Sequence, residues 1–156
     1  MLPFKKILCP TDFSEPALTA VKRAEEMARH FGAELCVAHV IPPVPEPHSF
    51  PDPQANFNFD LPLYQQELAI QAEKVLKELV SHQVSAEVRT RDLVTTGEPA
   101  PEILRIARQE HVDLIVIASH GLTGWRRLVF GSVAEKVVRQ AACPVLTIVA
   151  PPGAGQ

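Results

Sequence analysis

The sequence predicts an α/β fold in which one five-stranded parallel sheet is doubly wound by four helices. Short apolar runs alternate with longer segments of helical period along the chain. Parallel strands need long crossover connections, and the helical segments supply them. A length of 156 residues suits one domain, which we assign to residues 1–150, followed by a disordered tail at 151–156.

The first three elements have clear boundaries in the sequence. An apolar run at 5–10 ends at Pro10. Residues 14–32 form the first predicted helix, because Ser14 is a suitable N-cap, a proline lies in the first turn and a glycine closes the segment. Residues 34–41 are mostly apolar, which is typical of a buried parallel strand.

A proline-rich stretch at 42–62 interrupts this alternation. It holds seven of the 15 prolines, so it suits neither a helix interior nor a central strand. We interpret it as a long exposed connection, and both a lid over a site and a mobile insertion fit this pattern. Three aromatic side chains, Phe50, Phe57 and Phe59, indicate that part of it docks elsewhere.

The middle of the chain contains two further helices and one strand. Helical period returns at 63–84. Partial alternation at 86–97 predicts a strand near the edge of the sheet. A third helix begins around Gly97 and continues through 102–111.

The last third of the chain completes the sheet. The apolar run 113–119 is the strongest candidate for a central strand. Residues 132–142 predict the fourth helix, in which Ser132 and Glu135 have the spacing of a capping box. Residues 144–150 predict the last strand, which gives a flavodoxin-like or Rossmann-like arrangement.

Composition and charge exclude several classes of function. The net charge is −3 and the isoelectric point is about 6.1, so no basic field indicates a nucleic acid or an anionic membrane as a partner. The longest apolar runs are far too short to span a bilayer. The amino-terminal region lacks the apolar stretch of a secretory signal, so we expect a cytoplasmic protein.

The cysteines indicate neither a disulfide framework nor a zinc site. Cys9, Cys36 and Cys143 are odd in number and widely spaced, with no CxxC pair. We expect them to be small structural side chains within or beside apolar strands.

The predicted topology selects candidate binding residues. In doubly wound sheets, ligands bind beyond the carboxyl ends of the strands, where the strand order reverses. Asp12, after the first strand, can accept hydrogen bonds from ribose hydroxyls or can cap the first helix in place of Ser14. Val40, at the end of the second strand, can offer backbone groups to a base edge or can simply belong to the core.

The glycine-rich stretch between the fourth strand and the fourth helix suggests an anion site. Glycines at 121 and 131 let a phosphate approach the backbone, and the start of a helix supplies partial positive charge. Ser132 adds a hydroxyl there. Alternatively, Ser132 caps the helix and the glycines only form turns. The stretch matches neither a Walker A motif nor G-x-G-x-x-G.

Other polar residues near the carboxyl edge of the predicted sheet are weaker candidates for a catalytic or binding role. His39 and His120 lie at strand ends, but no nucleophile elbow accompanies them, so we predict no catalytic residue. The pair Arg126 and Arg127 can reach a phosphate, although a solvated surface pair is the simpler interpretation.

The whole chain resembles the universal stress protein family. The resemblance rests on PTDFS after the first strand, on ASHG after the fourth and on the ending GSVAEKVVRQAACPVLTIV. The nucleotide-binding branch of that family carries G-x2-G-x9-G-[ST], which here places its second glycine at Gly121 and its last two residues at Gly131 and Ser132. Ala118 stands where the motif has its first glycine, and Gly124 falls within the spacer.

The resemblance implies a fold like that of the adenine nucleotide alpha hydrolases and a set of ATP contacts. Residues on the ribose side, the base side and the phosphate side would be Pro10, Thr11, Asp12, Val40, Ala118, Gly121, Gly131, Ser132, Val133 and Ala134.

We therefore expect a stress-response protein that binds ATP, with or without Mg²⁺, and has at most slow ATP hydrolysis or autophosphorylation. The resemblance also implies a homodimer that pairs through the strand at 144–150, whose apolar edge needs covering. Two alternatives remain open: a family member that binds no ATP and acts through its dimer surface, and a flavodoxin-like cofactor or hydrolase domain.

Overall fold

A computed structural model describes residues 2–44, 60–120 and 130–149. Strands and helices alternate strictly through these residues. The strands are β1 (Lys6–Pro10), β2 (Glu34–Ile41), β3 (Thr90–Thr96), β4 (Leu114–Ala118) and β5 (Val145–Ile148). The helices are α1 (Glu15–Phe31), α2 (Leu61–Gln83), α3 (Pro99–Gln109) and α4 (Ser132–Gln140). The predicted order of elements is confirmed. Within the described residues, no helix is both long enough and apolar enough to span a bilayer.

All neighbouring strands of the sheet are parallel, and their order is β3-β2-β1-β4-β5. The chain first builds outward from β1 to β3 and then returns to place β4 on the other side of β1. The strand order therefore reverses between β1 and β4, which is where ligands bind in sheets of this kind. The prediction that the 86–97 region lies at an edge is also confirmed, since β3 is an outer strand.

Two apolar layers cover the two faces of the sheet. Adjacent strand residues point to opposite faces, so Ile7 packs with α1 and α2, whereas Leu8 packs with α3 and α4. Both side chains are fully buried. The central strand β4 is buried along its whole length, as its uninterrupted apolar run predicted. This double covering confirms the doubly wound fold.

The start of α1 agrees with the sequence, and the start of α2 does not. Ser14 caps α1, with its hydroxyl accepting from the amide of Ala17. The predicted connection 42–62 extends two residues too far, because α2 begins at Leu61. Asp60 is its N-cap and accepts from the amide of Leu63, and the proline in the first turn needs no amide partner there.

The predicted capping box at the start of α4 is wrong. The N-cap is Gly131, and Ser132 is already the first helical residue. The helix ends at Gln140, two residues earlier than predicted, because Ala141 adopts an extended conformation. The fifth strand is likewise shorter than the apolar run 144–150.

Several sequence interpretations concern residues outside the described ranges. These include the docking of Phe50, Phe57 and Phe59 and the predicted tail at 151–156. All three cysteines are described, and none forms a disulfide.

Candidate functional site

A cleft of about 360 Å³ opens beyond the carboxyl ends of β1, β2 and β4. Its floor consists of strand ends, and its walls are the turn after β1 and the first turns of α3 and α4. The residues that line it are Pro10, Thr11, Asp12, Ala17, Ala38, His39, Val40, Pro42, Pro99, Ile103, Ile117, Ala118, Ser119, His120, Gly131, Ser132, Val133 and Ala134.

The turn after β1 places a carboxylate in the wall of the cleft. Oδ1 of Asp12 accepts from the backbone amide of Ser14 at 3.0 Å and from the Ser14 hydroxyl. Asp12 therefore braces the cap of α1, while Ser14 is itself the cap. The prediction that Asp12 caps α1 in place of Ser14 is therefore wrong, and its contact with ribose hydroxyls stays a prediction.

The end of β2 presents backbone groups to the cleft. The carbonyl of Ala38 points towards β1, where it accepts from the amide of Thr11 at 2.8 Å, and β1 pairs with β2 no further than Pro10 opposite Ala38. The carbonyl of Ile41 points the other way, where it accepts from Gly97. Along a strand of a parallel sheet, the backbone N–H and C=O groups of successive residues point alternately to the two neighbouring strands. The N–H and C=O of Val40 thus point to the side of Ala38, beyond the end of β1 and into the cleft.

The end of β4 contributes Ala118 and a buried serine. Ala118 is 8% exposed and does not have a positive φ, so a side chain fits its strand backbone without strain. Ala118 lines the cleft at the position where the sequence motif has glycine, and its side chain packs in the apolar layer of α1 and α2. The next residue, Ser119, is buried and its hydroxyl lies 2.8 Å from Nδ1 of His120.

The first turn of α4 supplies unpaired amides. The amide of Gly131 donates to the carbonyl of Ser119 at 2.8 Å. The next three amides, on Ser132, Val133 and Ala134, cannot bond within the helix, and they have no partner among the described residues. The positive end of the helix dipole lies at the same place, which favours an anion.

The backbone angles at position 131 do not require a glycine. Its φ of −60° and ψ of 146° are open to any residue. Gly131 lines the cleft, so a side chain at this position would add bulk there.

Nine of the ten residues named from the sequence line this one cleft, although their contact with a ligand stays a prediction. The tenth, Gly121, lies outside the described residues, as do Gly124, Arg126 and Arg127. His39 and His120, which the sequence placed near the rim, also line the cleft.

Comparison with known proteins agrees with this architecture. The model of the family described as "Universal stress protein family" matches residues 3–148. The chain belongs to the universal stress protein family. Universal stress protein MJ0531 of Methanocaldococcus jannaschii is 34% identical over 148 residues, which cover 95% of this chain and 84% of the relative. Universal stress protein YxiE of Bacillus subtilis is 30% identical over 93% of this chain and 99% of its own length.

Solved structures share the fold. The structure of MJ0577, also from Methanocaldococcus jannaschii, aligns with a TM-score of 0.75 and 27% identity over 96% of this chain and 98% of its own. A universal stress protein from Archaeoglobus fulgidus in complex with dAMP aligns with a TM-score of 0.63 and 24% identity over 95% and 99% of the two chains. A universal stress protein in complex with cAMP aligns with a TM-score of 0.60 and 21% identity over 93% and 96%.

In this universal stress protein, sequence reasoning missed the contribution of α3 to the cleft. Pro99 and Ile103 line the cleft with apolar side chains. One sequence signal could have indicated them: Gly97 and Pro99 directly follow β3, so the first turn of α3 starts at the same carboxyl edge as the other binding elements.

Proposed function

We propose that this universal stress protein binds an adenine nucleotide in the cleft, that ATP is the ligand, and that the protein is a regulatory binding module. The observation that carries the proposal is the pairing of two backbone features across one cleft. Val40 offers one donor and one acceptor at the end of β2, and the first turn of α4 offers amides that have no partner within the described part of the chain, at a positive helix end.

The two features suit different parts of the ligand. The base edge of adenine presents an amino donor beside a ring acceptor, which complements the C=O and N–H of a single strand residue. Phosphate oxygens suit the amides of Ser132, Val133 and Ala134 together with the Ser132 hydroxyl. Asp12 lies in the wall between them and would bind the ribose hydroxyls. Universal stress proteins with this fold form complexes with cAMP and with dAMP, so an adenine nucleotide is the first ligand to test.

Calorimetric titration with ATP, with and without Mg²⁺, tests this function. GTP serves as the control for recognition of the adenine base. Guanine reverses the donor and acceptor of the adenine edge, so we expect ATP to bind and GTP to bind much more weakly. Absence of heat with ATP at high micromolar nucleotide would contradict the proposal and favour the alternative, action through the dimer surface without a nucleotide.

A variant with a matched control tests the location. Gly131→Val adds bulk at the lip of the cleft, and its backbone angles accept valine, so lost binding would reflect lost space. Ala142→Val adds a β-branched side chain at an exposed position after the other end of α4. We expect only the first variant to lose ATP binding; equal binding by both would place the nucleotide elsewhere.

We also propose that two chains pair through β5. This strand is an outer strand of the sheet, and its exposed apolar side chains include Leu146 and, just beyond its end, Val149. An uncovered apolar edge favours association with a second strand. The three free cysteines fit a reducing compartment, and we place the protein in the cytoplasm.

A further inference from the structure

We infer that His39 is a positioning residue that sets the ribose selectivity of the cleft by holding the turn that carries Asp12. The inference rests on the proposed nucleotide site and goes beyond it, because it assigns a role to a side chain that belongs neither to the base contact nor to the phosphate contact.

The first observation is a hydrogen bond between two neighbouring strand ends. Nδ1 of His39 lies 2.8 Å from the backbone carbonyl of Thr11. A carbonyl oxygen can only accept, so Nδ1 carries the hydrogen and donates it. The amide of Thr11 donates to the carbonyl of Ala38 at 2.8 Å. Thr11 is therefore tied to β2 through both its amide and its carbonyl, one residue past the end of β1.

The second observation is the backbone conformation of Phe13, two residues after Thr11. Phe13 has a φ of 64°, a left-handed conformation that is unfavourable for a bulky side chain. Its ring lies against the His39 imidazole, with a centroid distance of 4.3 Å and an interplanar angle of 31°. Its amide also donates to the Thr11 hydroxyl at 3.0 Å. The imidazole thus supports both sides of the unusual turn that contains Asp12.

The consequence for the ligand follows from the position of Asp12 between Thr11 and Phe13. Thr11 before it and Phe13 after it both contact His39, while its own carboxylate holds the cap of α1. A side chain that holds Ser14 on a fixed backbone has little freedom, so its carboxylate is aimed in one direction. We expect that direction to suit the hydroxyls of a ribose and to be lost when the turn relaxes.

Three substitutions of His39 separate this positioning role from direct contact. Asparagine places an amide donor close to where Nδ1 lies and keeps the bond to Thr11. Glutamine places its amide near the position of Nε2 and so would replace a direct contact with the ligand. Leucine removes both ring nitrogens and leaves the Thr11 carbonyl without its partner, which is unfavourable in a buried residue. His82→Leu, at an exposed position of α2 outside the cleft, is the matched control.

The measurement is the ratio of dissociation constants for 2′,3′-dideoxy-ATP and ATP, since the first nucleotide lacks both ribose hydroxyls. We expect the wild type to prefer ATP by about tenfold, the effect of a hydrogen bond to a charged group. His39→Asn and His82→Leu should keep this preference. His39→Leu and His39→Gln should reduce it to about twofold or less, through weaker binding of ATP and little change for the dideoxy nucleotide.

The outcomes distinguish this inference from the function on which it rests. Loss of the preference in His39→Asn with retention in His39→Gln would show direct contact through Nε2 and overturn the inference. Retention of the preference for ATP in all three His39 variants would also overturn the inference. A wild type that binds both nucleotides equally well would overturn it too. In each of these cases the proposal that the protein binds a nucleotide would stand. A wild type that binds neither nucleotide would overturn both. If His39→Leu fails to fold, as thermal melting would show, the asparagine and glutamine variants decide alone.

Discussion

The amide of Gly131 donates a hydrogen bond to the carbonyl of Ser119, at a distance of 2.8 Å. This bond holds the first turn of α4 directly beside the end of β4. Ala118, one residue before Ser119, also lines the cleft, and its methyl belongs to the apolar layer of α1 and α2, on the other face of the sheet from α4. A ligand that reaches the first turn of α4 lies beside the end of β4, where Ala118 lines the cleft, and the first prediction follows from this position.

Enlarging Ala118 should weaken nucleotide binding without unfolding the sheet. Valine is favoured in strands, and the position is extended and pairs with Ile148 in register. Two further methyl groups at the cleft should lower the affinity for ATP by about tenfold or more, the usual scale of overpacking. Calorimetric titration measures the affinity, and the melting temperature checks the fold.

Ala118→Gly is the reverse change, and it should bind ATP at least as tightly as the wild type because it only removes atoms from the wall. Its cost is about 1 kcal/mol of stability, since glycine in a strand loses more conformational freedom on folding. Unchanged affinity in Ala118→Val would contradict the placement of the ligand beside β4.

The hydroxyl of Ser132 should serve the ligand and not the helix. Because Gly131 is the N-cap, Ser132→Ala removes no capping bond, and alanine is a better helix former than serine. We expect the melting temperature to stay the same or rise slightly, while ATP affinity falls by about tenfold to a hundredfold, as when a charge-assisted hydrogen bond is lost.

Ser14→Ala is the matched comparison, because Ser14 does cap a helix. Loss of its bond to the amide of Ala17 should cost about 1 kcal/mol, equivalent to a fall of about 2–4 °C in melting temperature for a chain of this size. A drop of that size in Ser132→Ala instead would show that the capping box predicted from the sequence does form.

Charge on the outer strand should separate the proposed dimer. The double variant Leu146→Lys with Val149→Lys places two cations on the uncovered edge, where the two side chains are 38% and 69% exposed. We expect a monomer in sedimentation equilibrium at micromolar concentration and a dimer for the wild type. Ile70→Lys, at a 60% exposed apolar position on α2, controls for the general effect of surface charge. A wild type that sediments as a monomer would refute pairing through β5.

Buried thiols should make the protein less stable in alkaline solution. Burial raises the pKa of Cys9 from 9.0 to about 12 and that of Cys36 to about 11. The unfolded thiols ionise near pH 9, whereas the folded ones keep their protons, so the folded state binds more protons and stability falls as pH rises. The contribution is complete below about pH 9 and is lost progressively towards pH 11–12, at about 1.4 kcal/mol per pH unit for each thiol.

Urea unfolding between pH 8 and 10.5 measures this slope. Cys9→Ala removes one of the two thiols, so its stability should decline less steeply with pH than that of the wild type, even though it starts lower because of the cavity. Parallel curves for the two proteins would contradict the alkaline shift of Cys9.

Sequence patterns predicted the fold well because its elements are encoded locally. The helical period and the cap Ser14 located α1, and the unbroken apolar run located β4 as a central strand. The same local approach was wrong at Ser132, whose spacing to Glu135 is that of a capping box. A long-range bond from Gly131 to Ser119 decides that helix start instead, and no local pattern records it.

The sequence by itself determined the order of elements, the doubly wound sheet and the residues at its carboxyl edge, because period, caps and strand alternation act over a few neighbouring residues. Only the tertiary structure decided which way these residues face. The backbone groups of Val40 point into the cleft because β1 ends opposite Ala38. His39 contacts the carbonyl of Thr11 because β1 and β2 lie side by side. Such relationships depend on strand register, which is set by packing between segments distant in the chain.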